Sequence, residues 1–497
     1  MVSASFSWID WMVVALMFAA ILWISISSSR QIKNQKDYLL GGKSLSSGMV
    51  GLSLFATLIS TLSYLSYTGE MVKYGPVFIA GILSLPVAGW VVGRFIIPRI
   101  MKYNVTSAYE ILEMCVGPGT RKLATFFFIS LRFLWMCTIV FATVRVAIIP
   151  ILGLSPNCTP YICALMILFT VLFTTIGGLK AVVTTDALQS IIMLLGSLIS
   201  IVVILFKLGS FSELNNPELY SHWVKFDLLP RRNVRMTGAN IFLMNLLWMI
   251  CTAGSDQMAI QRYLSVKDEA GARRSYNISL ITSGLMKVFL AFVGLLVMAY
   301  FTKFPAFLPE GETVFSAADT LFPTFIRIGL PVGLTGLIAS ALIAAAISSL
   351  SSGLNSVSSV IQEDVLKKMD CFKGKEFSVK SIKKISLLLG LAVLGGSFFV
   401  GYVEGNLLDL TMKLVNLFAG PLFVLFFMAM FSPVKTDAGT IIGGLSSLAA
   451  AIGVSFFGIF GFVQTWNIFM ALAVGIPAGM LASWIDKKIN TKKYETL

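Results

Sequence analysis

Residues 51–66 read Gly51-Leu52-Ser53-Leu54-Phe55-Ala56-Thr57-Leu58-Ile59-Ser60-Thr61-Leu62-Ser63-Tyr64-Leu65-Ser66. The run is apolar enough for a bilayer, yet a hydroxyl residue recurs every few positions. Serine and threonine bond back to the backbone and loosen a helix. A helix broken at the bilayer midplane frees carbonyls, and this is tolerated only where it lines a cavity. The competing reading is an unbroken helix whose small residues let its neighbours pack closely. The rest of the chain has to decide between them.

The chain has 497 residues, 57% of them apolar and 12% charged. Soluble domains carry about 25% charged residues, so too few polar side chains exist to cover soluble surfaces. A disordered or disulfide-stapled secreted chain is excluded as well. Thirteen apolar stretches are long enough to span a membrane: 9–29, 48–72, 76–98, 123–152, 160–179, 187–207, 238–261, 276–302, 328–360, 385–403, 407–431, 438–460 and 465–485. The first lacks the basic region of a cleaved signal peptide. No stretch alternates as a barrel strand does.

The net charge of +14 would suggest nucleic acid in a soluble protein. Here it follows topology. With the N-terminus outside, the inner loops are 30–47, 99–122, 180–186, 262–275, 361–384, 432–437 and 486–497. They hold about 25 of the 38 basic residues, and the outer loops about seven. Loop 208–237, with Arg231, Arg232 and Arg235, is the outer exception. The expectation is a multi-pass plasma-membrane protein with a cytoplasmic C-terminus and no nucleic-acid partner. Cys158 and Cys163 lie near the outer face, as a pair or as ordinary thiols. The single His222 reads as solvated in an outer loop. Asp409 and Lys413, four apart, read as a local pair.

Two more spans depart from plain anchors. The ninth holds Ala344-Ala345-Ala346-Ile347-Ser348-Ser349-Leu350-Ser351-Ser352-Gly353-Leu354-Asn355. Ser348 and Ser352 share a face, flanked by Ser349 and Ser351. Hydroxyl oxygens suit a hard cation that has shed its water; close packing is again the alternative. Asp186 enters the sixth span at its inner end, either as a helix cap or as an intramembrane ion ligand. Setting aside spans 1, 12 and 13 leaves two groups of five, 48–207 and 238–431, of opposite orientation. Each begins with a span rich in helix-disturbing residues, the second containing Thr252, Gly254, Ser255 and Asp256. Inverted repeats with discontinuous helices at matching positions point to a secondary transporter. The segments 9–29 and 438–485 are then additions to a single transporter domain.

Motifs along almost the whole chain resemble those of the sodium/solute symporters. They are Asp37-Tyr38-Leu39-Leu40-Gly41-Gly42-Lys43, Thr106-Ser107-Ala108-Tyr109-Glu110-Ile111-Leu112-Glu113, the Gly177–Asp186 segment, and Ser255-Asp256-Gln257 with Gln261-Arg262-Tyr263-Leu264. Ser348–Asn355 and Gly420-Pro421 complete the set. The resemblance implies an all-α membrane protein with a LeuT-type core of 5+5 inverted repeats. It implies a first sodium site at the main-chain carbonyls of Ala56, Ile59 and Ala345 and the hydroxyls of Ser348 and Ser349. It implies a second sodium site, present in some members, at Asp186, Ser348, Ser351 and Ser352. The substrate pocket would fall at Leu58, Ser60, Ser63, Phe78, Ile82, Arg132, Trp135 and Thr252.

Several of these positions are apolar here where sugar and sialic-acid members place polar contacts. Ile82 replaces a polar or acidic group, Thr252 stands for a gate tyrosine, and Trp135 aligns near the arginine that holds the sialic-acid carboxylate. A site deprived of its polar partners binds hydroxylated substrates poorly. The expectation is sodium-coupled import of a small organic anion such as a monocarboxylate, with a sugar or sialic acid as the alternative. Arg132 pairs an anion if it faces the cavity; otherwise it snorkels or meets an acidic residue. An uncoupled channel on the same fold is the competing class. With one His in the chain and no HExxH, an enzyme is not expected. No cofactor beyond sodium is expected, and the unit is expected to work as a monomer.

Overall fold

Serine side chains start and stop the first helices. α1 (Trp8–Ser29) opens on a capping box, with Asp10 N donating to Ser7 Oγ at 3.2 Å and Ser7 N to Asp10 at 2.9 Å. α2 (Ser47–Leu58) ends where Ile59 turns extended (φ −102, ψ 108) and Ser60 follows it (φ −100, ψ 173). Ser60 then caps α3 (Thr61–Tyr74), and Ser63 answers reciprocally, both at 3.4 Å. The two helices bend by 65°. The hydroxyl-rich run is therefore a broken span, and the unbroken alternative falls.

The computed structural model describes residues 6–30, 32, 34–103, 105–210, 212–308, 311–369, 377–400 and 407–490, without the side chains of 36, 407–412, 414 and 415. The Asp409–Lys413 pair lies outside that description. After α3 come α4 (Pro76–Met101) and α5 (Pro118–Leu152). α6 (Thr159–Leu208) is helical throughout except at Gly178 (φ 59, ψ −160). A Cβ there would lie 2.7 Å from the Tyr38 carbonyl oxygen. One glycine thus separates limbs 159–177 and 179–208 without a loop. This corrects the expected inner loop at 180–186. Asp186 sits about two turns inside the second limb and fully buried, not at a helix start where it would cap the dipole.

α7 (Gly238–Ser255) and α8 (Gln257–Tyr263) are separated by Asp256, which is extended (φ −85, ψ 124) and caps α8 through Met258 N at 2.9 Å. This second break opens the second group of spans, as the α2–α3 break opens the first. The chain continues through α9 (Glu269–Lys303), α10 (Leu334–Val360), α11 (Val379–Val400), α12 (Leu407–Met430), α13 (Asp437–Phe457) and α14 (Asn467–Ile489). With each broken pair counted once and the limbs of α6 separately, the long helices among the described residues make thirteen segments, and there is no strand.

α10 is the hub. In its most apolar window 83% of residues are buried, against 28% in α1 and in α14. It packs on α6, α1, α5, α11 and α2, because its alanines, serines and Gly353 let other backbones approach closely. The loops expected on one side meet at one end of the bundle. There Arg121 pairs with Asp364 at 2.5 Å, Lys368 with Glu113 at 2.9 Å, and Gln35 donates to Glu363 at 2.7 Å. At the opposite end Lys73 pairs with Asp319 at 2.6 Å and Arg235 with Glu70 at 2.8 Å. His222 is half-buried there on the Val72 carbonyl at 2.7 Å and against Phe315, not simply solvated. Cys158 and Cys163 are free thiols.

Gly178→Ala tests the turn inside α6. The left-handed backbone and the Tyr38 carbonyl together make any side chain costly. We expect a loss of about 1–3 kcal/mol, read as a lower thermal midpoint in detergent; an unchanged midpoint contradicts the assignment.

Candidate functional site

The break between α2 and α3 leaves carbonyls without helical partners, in a place where lipid supplies none. α10 supplies them. Ser348 Oγ donates to the Ala56 carbonyl at 2.8 Å and lies 3.2 Å from the Ala345 carbonyl. Ser349 Oγ donates to the Thr57 carbonyl at 3.3 Å, and Thr61 Oγ1 to the Leu342 carbonyl at 2.6 Å. Ile59 occupies the extended position between the two helices and is buried. Thus Ala56, Ala345 and Ser348 are brought into direct contact, with Ile59 and Ser349 beside them. The cluster is neutral, buried and built of oxygen atoms, the donor set a partly dehydrated monovalent cation requires.

Asp186 lies beside this cluster. Its Oδ2 accepts from Ser53 Oγ at 2.6 Å, Ser352 Oγ at 3.3 Å and Arg262 Nη2 at 3.0 Å. Its Oδ1 is buried with no hydrogen-bond partner among the described residues. Ser352 also meets Thr57 Oγ1 at 3.0 Å, while Ser351 Oγ bonds back to the Ser348 carbonyl at 3.1 Å. Asp186, Ser352 and Ser348 therefore belong to one connected patch. Arg262 is fully buried in it and also donates to Ser53 Oγ and the Met258 carbonyl, each at 2.8 Å.

A cavity of about 30 Å³ lies where α2, α5, α7 and α12 meet. Its apolar walls are Leu58, Leu131, Trp135, Trp248, Ala419 and Leu422; its polar ones are Thr57, Arg132, Thr252, Ser255 and Asp256. Arg132 Nη2 is ion-paired to Asp256, and both residues are buried. Arg132 Nε and Trp135 Nε1 are buried donors with no partner among the described residues. Leu58, Arg132, Trp135 and Thr252 are thus in the wall. Ser60 and Ser63 are turned into the cap of α3. Phe78 stacks on Tyr67 with centroids 5.6 Å apart, and Ile82 packs in the core near Leu85. These four lie outside the walls of this cavity.

Arg262, Ser53 and Asp256 were missed as site residues. In the sequence Arg262 stands at the start of an inner loop, and Asp256 reads as a helix-disturbing residue; both lie in family motifs that by sequence alone carry no site role. The available signal was a charge within apolar sequence. Gln189, one turn beyond Asp186, is buried with both amide atoms unpartnered among the described residues.

The profile of the sodium:solute symporter family matches residues 38–446. The chain belongs to this family. It is 26% identical over 489 residues to the sodium/sialic acid symporter of Proteus mirabilis, covering 95% of both chains. It is 29% identical over 463 residues to sodium-coupled monocarboxylate transporter 1 of Xenopus laevis, covering 90% of this chain and 72% of that one. A solved Na⁺-coupled sialic acid symporter, in a substrate-bound outward-open state, superposes with a TM-score of 0.85 at 22% identity. That match covers 97% of this chain and 98% of the other. A nucleobase-cation-symport-1 family transporter reaches 0.58 at 12% identity, over 92% of this chain and 96% of that one. The fold is the LeuT type, and the protein is a multi-pass sodium-coupled symporter, not an enzyme.

The cavity pair yields a stability prediction. Removing one partner of a buried ion pair costs about 3–5 kcal/mol, mostly from the charge left behind. Arg132→Met is expected to lower the thermal midpoint strongly, and adding Asp256→Asn to recover part of the loss. A double variant less stable than Arg132→Met alone contradicts the pairing.

Proposed function

We propose that this symporter imports a carboxylate-bearing solute, with sialic acid the leading candidate. The observation that carries the reading is the pair of buried, unpartnered donors in the cavity wall, Arg132 Nε and Trp135 Nε1. An unsatisfied buried donor costs free energy until an acceptor arrives. A guanidinium edge beside an indole N–H offers two donors to one carboxylate. The similarity to sialic acid symporters over nearly the full length of both chains supports the sugar acid. A second reading, a smaller monocarboxylate, is favoured by the cavity's size and its largely hydrocarbon wall.

In this reading Ala56, Ile59, Ala345, Ser348 and Ser349 hold one sodium ion, and Asp186, Ser348, Ser351 and Ser352 a second. The repeats run over 48–207 and 238–431. The chain works as a monomer in the plasma membrane, with its N-terminus outside and its C-terminus in the cytoplasm. Sodium at the α2–α3 break bridges α2 to α10 and stabilises the form that receives substrate. Coupling then comes from a difference in ion affinity between states, not from tight binding alone. Each charge carried across 100 mV contributes about 2.3 kcal/mol, roughly 50-fold in accumulation.

The test is uptake of sialic acid and of short monocarboxylates into proteoliposomes. Uptake is expected only under an inward sodium gradient. Each lost sodium ligand is worth about 1.5–3 kcal/mol, so Ser348→Ala or Ser349→Ala should weaken half-saturation by sodium about tenfold or more. Asp186→Asn should lower the Hill coefficient for sodium. Equal uptake in choline buffer contradicts coupling, and large single-channel currents would favour a channel.

A further inference from the structure

α8 is seven residues long, and all seven are buried. An ion pair sits at each end of it. At its start, Asp256 holds Arg132 in the cavity wall; near its end, Arg262 holds Asp186 beside the hydroxyls of α10. The two pairs are joined through a single residue. Met258 N donates to Asp256 Oδ1 at 2.9 Å, and the Met258 carbonyl accepts from Arg262 Nη1 at 2.8 Å. The result is an unbroken polar chain: Arg132, Asp256, the Met258 backbone, Arg262, Asp186. Its charges alternate and cancel.

Each end of this chain has one open valence. Arg132 Nε lacks an acceptor, and Asp186 Oδ1 lacks a hydrogen-bond donor, among the described residues. The first can take an anion and the second a cation. A cation on Asp186 alone, or an anion on Arg132 alone, leaves an uncompensated charge in a low-dielectric interior. The two together restore neutrality. A sodium ion on Asp186 Oδ1 would share the carboxylate's charge with Arg262, whose other nitrogen holds the Met258 carbonyl and through that residue the seat of Asp256 on Arg132.

We propose that Asp256 is a positioning residue that links sodium occupancy at Asp186 to carboxylate readiness at Arg132, acting through α8 and Arg262. The inference rests on the second sodium site of the reading above and on Arg132 as the carboxylate ligand. Other contacts hold α8 in register with its neighbours. Gln257 Nε2 donates to the Thr106 carbonyl at 3.0 Å, and Ser356 Oγ donates to Gln261 at 2.8 Å, so α8 is gripped along its length.

The test needs only sodium as probe. Purified full-length protein is titrated with sodium chloride against choline chloride at constant ionic strength. Thermal stabilisation reports ion binding, and tryptophan emission, assigned with Trp135→Phe, reports the cavity. In the parent both should respond. In Asp256→Asn the stabilisation should persist while the emission change is lost. An emission change equal to the parent's overturns the link. Should Asp256→Asn not fold, Arg262→Met tests the chain from its other end, since an apolar side chain donates to neither Met258 nor Asp186; a parent-like emission change there overturns the link equally. Absence of sodium stabilisation in the parent removes the sodium reading itself, and the link with it.

Discussion

Backbone carbonyls freed inside a bilayer must find a partner within the protein, and the rest of this structure follows from how they do so. α2 stops at Leu58, and its last carbonyls are freed within an apolar span, where lipid offers nothing. α10 answers with Ser348 and Ser349. That demand explains why α10 is the most buried of the long spans and why small residues dominate it. It also makes the same oxygens a candidate cation site. Atoms that cannot be satisfied by continuing a helix are available to an ion, and a hydroxyl can turn to serve either one.

The second break, at Asp256, is handled with charge. Asp256 caps α8 and holds Arg132; six residues on, Arg262 holds Asp186. Buried ion pairs add little to stability compared with an apolar core, but they fix geometry strictly, because neither partner tolerates being left alone. A transporter that moves between two forms needs contacts with discrete alternatives. One break supplies exchangeable hydroxyl–carbonyl contacts, and the other supplies exchangeable ion pairs. The cavity lies between them, and Thr57 and Asp256 both reach its wall.

Much of this was legible in the sequence. The spans could be read because each must carry about 20 apolar residues. The break at Ser60 could be read because hydroxyls recur where a membrane helix should be inert. The serines of α10 could be read from their helical spacing. What could not be read was the pairing of charges distant in sequence. Arg132 and Asp256 are 124 residues apart, and Arg262 and Asp186 are 76 apart. Hydropathy counts each as an isolated charge, so Arg262 passed for a loop residue. The reversal at Gly178 was misplaced for a similar reason: a single left-handed glycine leaves no polar loop to mark it. Ser60 and Ser63 match positions that line the substrate pocket in the family the motifs resemble. Their rotamers, which the sequence does not specify, turn them into the cap of α3.

The central claim is that sodium occupies the oxygen cluster between the α2–α3 break and α10. Equilibrium binding of radioactive sodium to the purified, substrate-free protein tests it directly. The account predicts saturable binding, competed by unlabelled sodium but not by choline, and abolished at the break when Ser348 and Ser349 are both alanine. Binding to that double variant equal to the parent's in affinity and amount would contradict the account.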